Sequence, residues 1–522
     1  MRASVLSDWL AQRLDRGNGQ PVYRQLHRLL QQAILSRELP AGSKVPSSRL
    51  LAAELGIARN TVTQVYEQLV LEGYVSSATG RGTFVADSAP DEIIGALPDA
   101  AVRHGASGSA GGSGVSGTSG AASTGSAAPQ PLPAARALSS RGTRLIASAG
   151  VSKRQWGAFM PGVPDVSRFP ARVWSRLHAK YWRSLRPDLL TYAPGGGLAL
   201  LRHVLADYLR TSRSVRCTPE QIIITTGIHQ SVDLAVRLLS DPGDVIWTED
   251  PCYWGVRSVL HVSGLQSRPI AVDEEGINPS VDDLAAPPKL MLVTPSHQYP
   301  LGMVMSLARR RMLLEYARQH QCWIIEDDYD SEFRYGSRPL ASLQGLDTAG
   351  QVIYVGSFGK TLFPGLRVGY LVVPEALAES FATASAELYR EGQLLQQAVL
   401  AEFIAEGHFT SHIRKMRTLY GQRRQALLDA AAQRYGGALP AVGGDAGLHL
   451  VMQLPEGTDD LAVARAALER NIVVRPLSGY YAEPACAPSG LLIGYACVPD
   501  EEIAPAFNTL ADAIDATLTQ FA

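Results

Sequence analysis

The run Ser357-Phe358-Gly359-Lys360-Thr361-Leu362-Phe363-Pro364-Gly365-Leu366-Arg367 places one lysine just past an apolar stretch, Val352-Ile353-Tyr354-Val355. A lysine at the end of a buried strand can form a Schiff base with an aldehyde, and a nearby serine and arginine can grip a phosphate. Pyridoxal 5'-phosphate (PLP) needs that combination. Strand-Ser-x-x-Lys also occurs in penicillin-binding enzymes, where the serine is the nucleophile, so the remaining parts of a PLP site decide the matter. Trp323-Ile324-Ile325-Glu326-Asp327-Asp328-Tyr329 reads as a buried strand ending in carboxylates and a tyrosine. A PLP ring needs a carboxylate beside its pyridine nitrogen, to act as an electron sink, and a hydroxyl near its phenolic oxygen. Asp327 and Tyr329 are of those types. An N-cap cluster opening the next helix would account for Asp328 or Asp330 but not for Tyr329.

The elements that must position these groups are legible upstream. Ile222-Ile223-Ile224-Thr225-Thr226-Gly227 reads as a strand running into a glycine turn, and the stretch from His229 to Leu239 as an amphipathic helix. Backbone N–H groups at such a helix start bind phosphate. Glu249-Asp250-Pro251-Cys252-Tyr253 follows another strand and offers a ring for stacking. Tyr192-Ala193-Pro194-Gly195-Gly196-Gly197 precedes a helix with Leu198, Leu201, Val204, Leu205 and Tyr208 on one face.

In this order the motifs from about Ser152 onward resemble the fold-type I, aspartate-aminotransferase-like PLP proteins. The resemblance implies an α/β domain at 151–522 with a small C-terminal α+β subdomain. It implies that Lys360 holds PLP as an internal aldimine, that Asp327 pairs with the pyridine nitrogen, that Tyr329 reaches the phenolic oxygen and that Tyr253 stacks on the ring. Ser357, Arg367 and the backbone at Gly227 and Ile228 would bind the phosphate. Tyr192 would reach the phosphate of a neighbouring subunit, because such proteins are dimers with sites at the interface. One motif departs from the enzymes: where they carry Asn-Pro-Thr-Gly, this chain has Tyr299-Pro300-Leu301-Gly302, preceded by Thr294-Pro295-Ser296-His297-Gln298. That run resembles MocR-type regulators, and His297 or Gln298 takes over the asparagine's contact.

A second unit precedes all this. Tyr23, Leu26, Leu29, Leu30, Ala33 and Ile34 recur at helical spacing. Pro46-Ser47 then opens a short helix through Leu50, Leu51 and Leu55, ended by Gly56. A further helix runs from Ala58-Arg59-Asn60-Thr61 to Glu72, with Val62, Val65, Tyr66 and Leu69 on its apolar face. Gly73-Tyr74-Val75 and Gly80-Arg81-Gly82-Thr83-Phe84-Val85 read as two strands of a wing. The segment 14–86 resembles the mostly α, GntR-type winged helix-turn-helix. That implies operator DNA as partner, with Arg49, Arg59, Asn60 and Thr61 approaching it and Thr79, Gly80 and Arg81 making the wing contact. Residues 1–86 hold ten Arg/Lys and six Asp/Glu in a chain of net charge −1, a local excess suited to phosphate backbones.

Residues 106–130 are almost only Gly, Ser, Ala and Thr, so 87–150 is expected to be a flexible linker with an r.m.s. reach of roughly 35–40 Å. The five cysteines are scattered without a Cys-x-x-Cys, which fits reduced thiols in the cytoplasm rather than a disulfide frame or a metal site. No apolar run is long enough for a membrane span and no signal core stands at the N-terminus. Near the C-terminus, Arg475 follows Ile472-Val473-Val474 and is a candidate to grip an effector carboxylate, with Arg257 as second choice. The whole implies a homodimeric, head-to-tail MocR-type transcriptional regulator of the GntR family, sensing a small amino compound by external aldimine formation. The alternative is a working aminotransferase with an accessory DNA-binding head.

Overall fold

The computed structural model describes residues 3–15, 19–78, 82–86, 138–147, 154–184, 186–193, 195–335, 341–390, 392–443 and 445–521. They fall into two compact units, 1–126 and 127–522.

The first unit packs four helices, α1 (Ala3–Ala11), α2 (Val22–Leu35), α3 (Ser48–Leu55) and α4 (Arg59–Leu71), against a hairpin of β1 (Val75–Ala78) and β2 (Gly82–Val85). Local chemistry sets the boundaries. The Ser47 hydroxyl accepts from the Leu50 N–H at 3.2 Å, capping α3. Gly56 ends that helix at φ +60°, where a side chain would be strained. The Tyr66 hydroxyl donates to the Pro46 carbonyl at 2.8 Å and so holds the α3 entry against α4. Leu26, Leu30, Leu51, Leu55, Val62, Val65 and Leu69 form the core. Two features were not anticipated. Leu6 and Leu10 of α1 are buried in the same core, so the unit begins ahead of residue 14. The segment 42–45 lies alongside β2, bridged at Lys44 and Phe84: Val45 N–H donates to Thr83 O at 3.0 Å and Val85 N–H to Ser43 O at 2.9 Å.

The second unit is built on an eight-stranded sheet in the order β3-β10-β9-β8-β7-β4-β5-β6. Its strands are β3 (Ile222–Thr225), β4 (Val245–Asp250), β5 (Gln266–Asp273), β6 (Gly276–Ile277), β7 (Leu290–Val293), β8 (Trp323–Asp328), β9 (Val352–Ser357) and β10 (Gly369–Val372). Strands β9, β8, β7, β4 and β5 pair in parallel, while β10 runs antiparallel to both β3 and β9. Parallel strands buried on both faces read as continuous apolar runs, as the wholly buried β7 does. Helices include α5 (Ser140–Ala147), α6 (Ala171–Arg183), α7 (Ala199–Arg213), α8 (Ile228–Leu239), α9 (Trp254–Ser263) and α10 (Leu307–His320). Helix α5 lies within the stretch expected to be linker and packs on α9.

A smaller subdomain follows. Helices α11 (His408–Tyr435), α12 (Asp460–Glu469) and α13 (Ile503–Phe521) cover an antiparallel sheet ordered β11-β12-β14-β13, with β11 (Ala441–Val442), β12 (His449–Gln453), β13 (Arg475–Pro476) and β14 (Gly490–Gly494). The apolar run before Arg475 leaves this sheet: Ile472 bridges Ala158 instead.

Candidate functional site

In open α/β sheets the crevice beyond the carboxyl ends of the parallel strands is where ligands bind. Here β4, β8 and β9 end at Asp250, Asp328 and Ser357. A cavity of about 310 Å³ opens beside these ends, lined among others by Gly227, Ile228, Tyr253, Asp327, Tyr329, Ser357, Lys360 and Arg367. These eight were all singled out from sequence, and the fold brings them together from four separate segments.

The groups are poised by burial. The Lys360 ammonium donates to the Gly162 carbonyl at 2.7 Å. Burial pulls its pKa down, with Asp330 and Asp327 opposing, so the amine is closer to the neutral nucleophile that Schiff-base chemistry requires. Asp327 is pushed up to about 8, first by burial and then by Asp328, Asp330 and Glu249. Its carboxylate makes no hydrogen bond among the described residues. A buried carboxylate without a partner at a cavity wall is a socket for a protonated ring nitrogen. Burial also drives Tyr329 well above its ordinary value, so the group stays a phenol and can donate.

The phosphate end has its own logic. Gly227 sits at φ +123° as N-cap of α8, and no atom lies within 4 Å of where a Cβ would be. The helix start therefore presents N–H groups to the cavity, with the macrodipole favouring an anion. The Ser357 hydroxyl accepts from the Gly359 N–H at 3.1 Å. Arg367, held at φ +53°, is exposed and makes no ion pair among the described residues. An amine, an anion socket and an unpaired ring-nitrogen carboxylate in one cavity fit PLP.

Other expected residues fall elsewhere. Gln298 does not line the cavity: its amide donates to Pro251 O at 2.8 Å and Tyr299 O at 2.9 Å, and its oxygen accepts from Leu301 N–H. His297 lies behind Tyr329, with Nδ1 2.9 Å from that hydroxyl. The side chain that faces the cavity from this loop is Tyr299, at the asparagine position itself. Arg257 is committed to the carbonyls of Tyr481 and Gly479, at 2.8 Å each, and so holds two chain segments together. Among the described residues the Arg475 guanidinium bonds only the Met160 sulfur, at 3.8 Å, and its charge acts on the Tyr299 and Tyr480 hydroxyls. Tyr192 is 77% exposed and does not line its own chain's cavity. In the head, Arg49, Arg59 and Asn60 are exposed and Thr61 is half-buried. Thr79, Gly80 and Arg81 lie outside the described residues. Sequence reasoning missed His229, Thr226 and Gln155 as lining residues. His229 carried a signal, since it is the second residue of a helix already read as a phosphate binder.

Comparison with known proteins agrees with both halves. Residues 22–85 match the bacterial regulatory proteins of the gntR family, and residues 166–510 match aminotransferase class I and II. The chain is 37% identical over 96% of its length to "Probable rhizopine catabolism regulatory protein MocR" of Rhizobium meliloti, covering 95% of that protein. It is 30% identical to the "HTH-type pyridoxine biosynthesis transcriptional regulator PdxR" of Corynebacterium glutamicum, over 94% of each chain. Among solved structures it is similar to LysN, an α-aminoadipate aminotransferase of Thermus thermophilus complexed with N-(5'-phosphopyridoxyl)-L-leucine. That match has 27% identity and a TM-score of 0.66, and covers 74% of this chain and all of that one. A winged head of the first family joined to an aminotransferase-like domain, with relatives of the same build along nearly the whole chain, makes this chain a member of the MocR-type, PLP-dependent transcriptional regulators of the GntR family.

Proposed function

We propose that this regulator senses a small amine bearing an acidic group, and that Arg475 grips the acid. The observation that carries the reading is the state of Arg475: among the described residues its guanidinium faces the Met160 sulfur rather than a carboxylate, near Tyr480 and near Tyr299, which lines the cavity. Bound in the cavity, PLP would supply an aldehyde for imine chemistry with a primary amine, and Lys360 would be the chain's own amine for it. The chain's own residues do the rest. Asp327 would hold the ring nitrogen's proton, Tyr329 would donate to the phenolic oxygen, Tyr253 would cover the ring, and Ser357, Arg367 and the start of α8 would fix the phosphate.

Arg475→Lys keeps the charge and loses the planar fork. With an acidic amine as titrant, the amine concentration needed to change operator binding is expected to rise about ten- to a hundredfold, while the protein stays yellow. An unchanged dose-response would place the anion elsewhere and overturn this assignment. Steady-state turnover with amino and keto acids in the same samples separates sensing from the alternative of catalysis.

The head reads the operator through the start of α4, where Arg59 and Asn60 are exposed and Ala58 provides no side-chain cap. Arg59→Ala is expected to weaken operator binding by about 1–3 kcal/mol with the PLP spectrum unchanged. A uniform loss on all DNA sequences with a shallower salt slope would make Arg59 a phosphate contact instead. The exposed Trp182, Leu190 and Tyr192 support a homodimer in which Tyr192 serves the partner's phosphate site. No helix among the described residues is long and apolar enough to cross a membrane, which is compatible with work on DNA in the cytoplasm.

A further inference from the structure

We infer that His297 is a positioning residue that sets the direction of the Tyr329 hydroxyl and acts on the cofactor only through it. The inference rests on the reading that Lys360 holds PLP in this cavity. His297 is 2% exposed. Its Nδ1 lies 2.9 Å from the Tyr329 hydroxyl and 3.0 Å from Asp330 Oδ1. Its Nε2 is buried without a hydrogen-bond partner among the described residues.

The tautomer follows from what each choice leaves unpaired. With the proton on Nε2, a buried N–H has no acceptor, and the Nδ1 lone pair faces the Asp330 carboxylate. With the proton on Nδ1, one N–H is shared by the Asp330 and Tyr329 oxygens, and only a lone pair is left over. Orphaned buried N–H groups are the rarer and costlier of the two. Nδ1 therefore donates. A donor aimed at the Tyr329 oxygen leaves that hydroxyl's own proton free to point into the cavity that Tyr329 lines.

The ring has little freedom to do otherwise. A Cβ at Gly447, φ +77°, would come within 2.2 Å of His297 Cε1 and 2.5 Å of Asp330 Oδ2. Gly447 is itself pinned: its N–H donates to Phe333 O at 2.7 Å, and its carbonyl accepts from the Tyr335 and Tyr495 hydroxyls at 2.6 and 2.9 Å. The small subdomain thus presses its backbone against the imidazole. The titratable groups facing the His297–Tyr329 pair are Asp330, Asp327, Glu249, Tyr299, His449 and Lys360. His449, whose ring centroid is 5.5 Å from that of His297, is kept neutral by burial, with its pKa near 4.

The readout is the pH midpoint of the visible absorption of the full-length, PLP-loaded protein. A hydroxyl donor stabilises the cofactor's phenolate, so losing it raises the midpoint. Tyr329→Phe is expected to raise it by about one unit or more, and His297→Phe by roughly half a unit to one unit. His297→Asn, which returns an N–H near the Nδ1 position, brings it back toward wild type. Added to Tyr329→Phe, the His297→Phe change shifts nothing further, because the two act in series. An equal shift in both backgrounds, or none in either, overturns the inference. Should His297→Phe fail to hold PLP, His297→Ala reads the same shift. Failure of both, where Tyr329→Phe still binds, would make His297 a cohesion residue and sink the idea too. A wild-type protein with no visible band at all would instead refute the underlying reading.

Discussion

Lys360→Ala protein, loaded with PLP and then dialysed, is expected to come out colourless where the wild type stays yellow. This is the largest effect the site can produce, because the lysine supplies the only amine among the described residues lining the cavity. Arg367, Ser357 and the start of α8 remain in the variant, so PLP still binds, but reversibly. Borohydride reduction of the wild type is the companion measurement. It should fix the cofactor to one peptide, the one carrying Lys360, and labelling of any other lysine would refute the assignment. The rationale is electrostatic as well as geometric, since burial lowers the Lys360 pKa and raises that of Asp327. Two groups whose environments push them toward neutrality are ready to exchange protons with a ligand.

The largest expected effect on stability lies one layer behind the site. Arg213, at the end of α7, donates to Asp328 Oδ2 at 2.7 Å and to the Ser296 hydroxyl at 2.7 Å, and the two ion-pair side chains are 3% and 1% exposed. Removing one member of a buried pair leaves the other charged and unsolvated, at a cost of about 3–5 kcal/mol. Arg213→Met is therefore expected to lower the unfolding free energy of this unit by that amount. Adding Asp328→Leu should recover much of it, since an apolar pair of similar volume is often no worse. Arg210→Met is the control: its pair with Asp207 is exposed on both sides, and such pairs are worth about 0–1 kcal/mol. Denaturant melts of the four proteins decide it. An Arg213→Met cost no larger than that of Arg210→Met would show that Asp328 finds another partner.

The parts of this molecule that were legible in the sequence are those whose chemistry is local. Ser47 and Gly56 delimit α3 because capping and a left-handed turn are decided within four residues. Asp327, Lys360 and Ser357 could be named because each stands at or just past the end of an apolar strand, and strand ends converge in a parallel sheet. What was not legible depends on partners far along the chain. Arg257 looked available for a ligand, but carbonyls more than two hundred residues away claim it. Gln298 looked like a replacement for a cofactor-touching asparagine, but Glu249, Pro251 and Tyr299 saturate its amide. Helix α1 was overlooked because its apolar residues find their core only when α3 packs against it.

The seam that Arg257 helps to hold has a mechanical side. Cys252 N–H donates to Tyr480 O at 3.1 Å, Ala482 N–H to Asp250 Oδ1 at 2.8 Å, and Arg257 to two more carbonyls of the same loop. Opening all four bonds would cost about 2–6 kcal/mol, so residues 250–257 and 479–482 travel together. The first segment carries Tyr253 and leads into α9, on which α5 rests; the second follows Arg475 by a few residues. In lever terms, the segment that carries Tyr253 and the loop that follows Arg475 are tied into one piece. Its far end is the helix on which α5 packs.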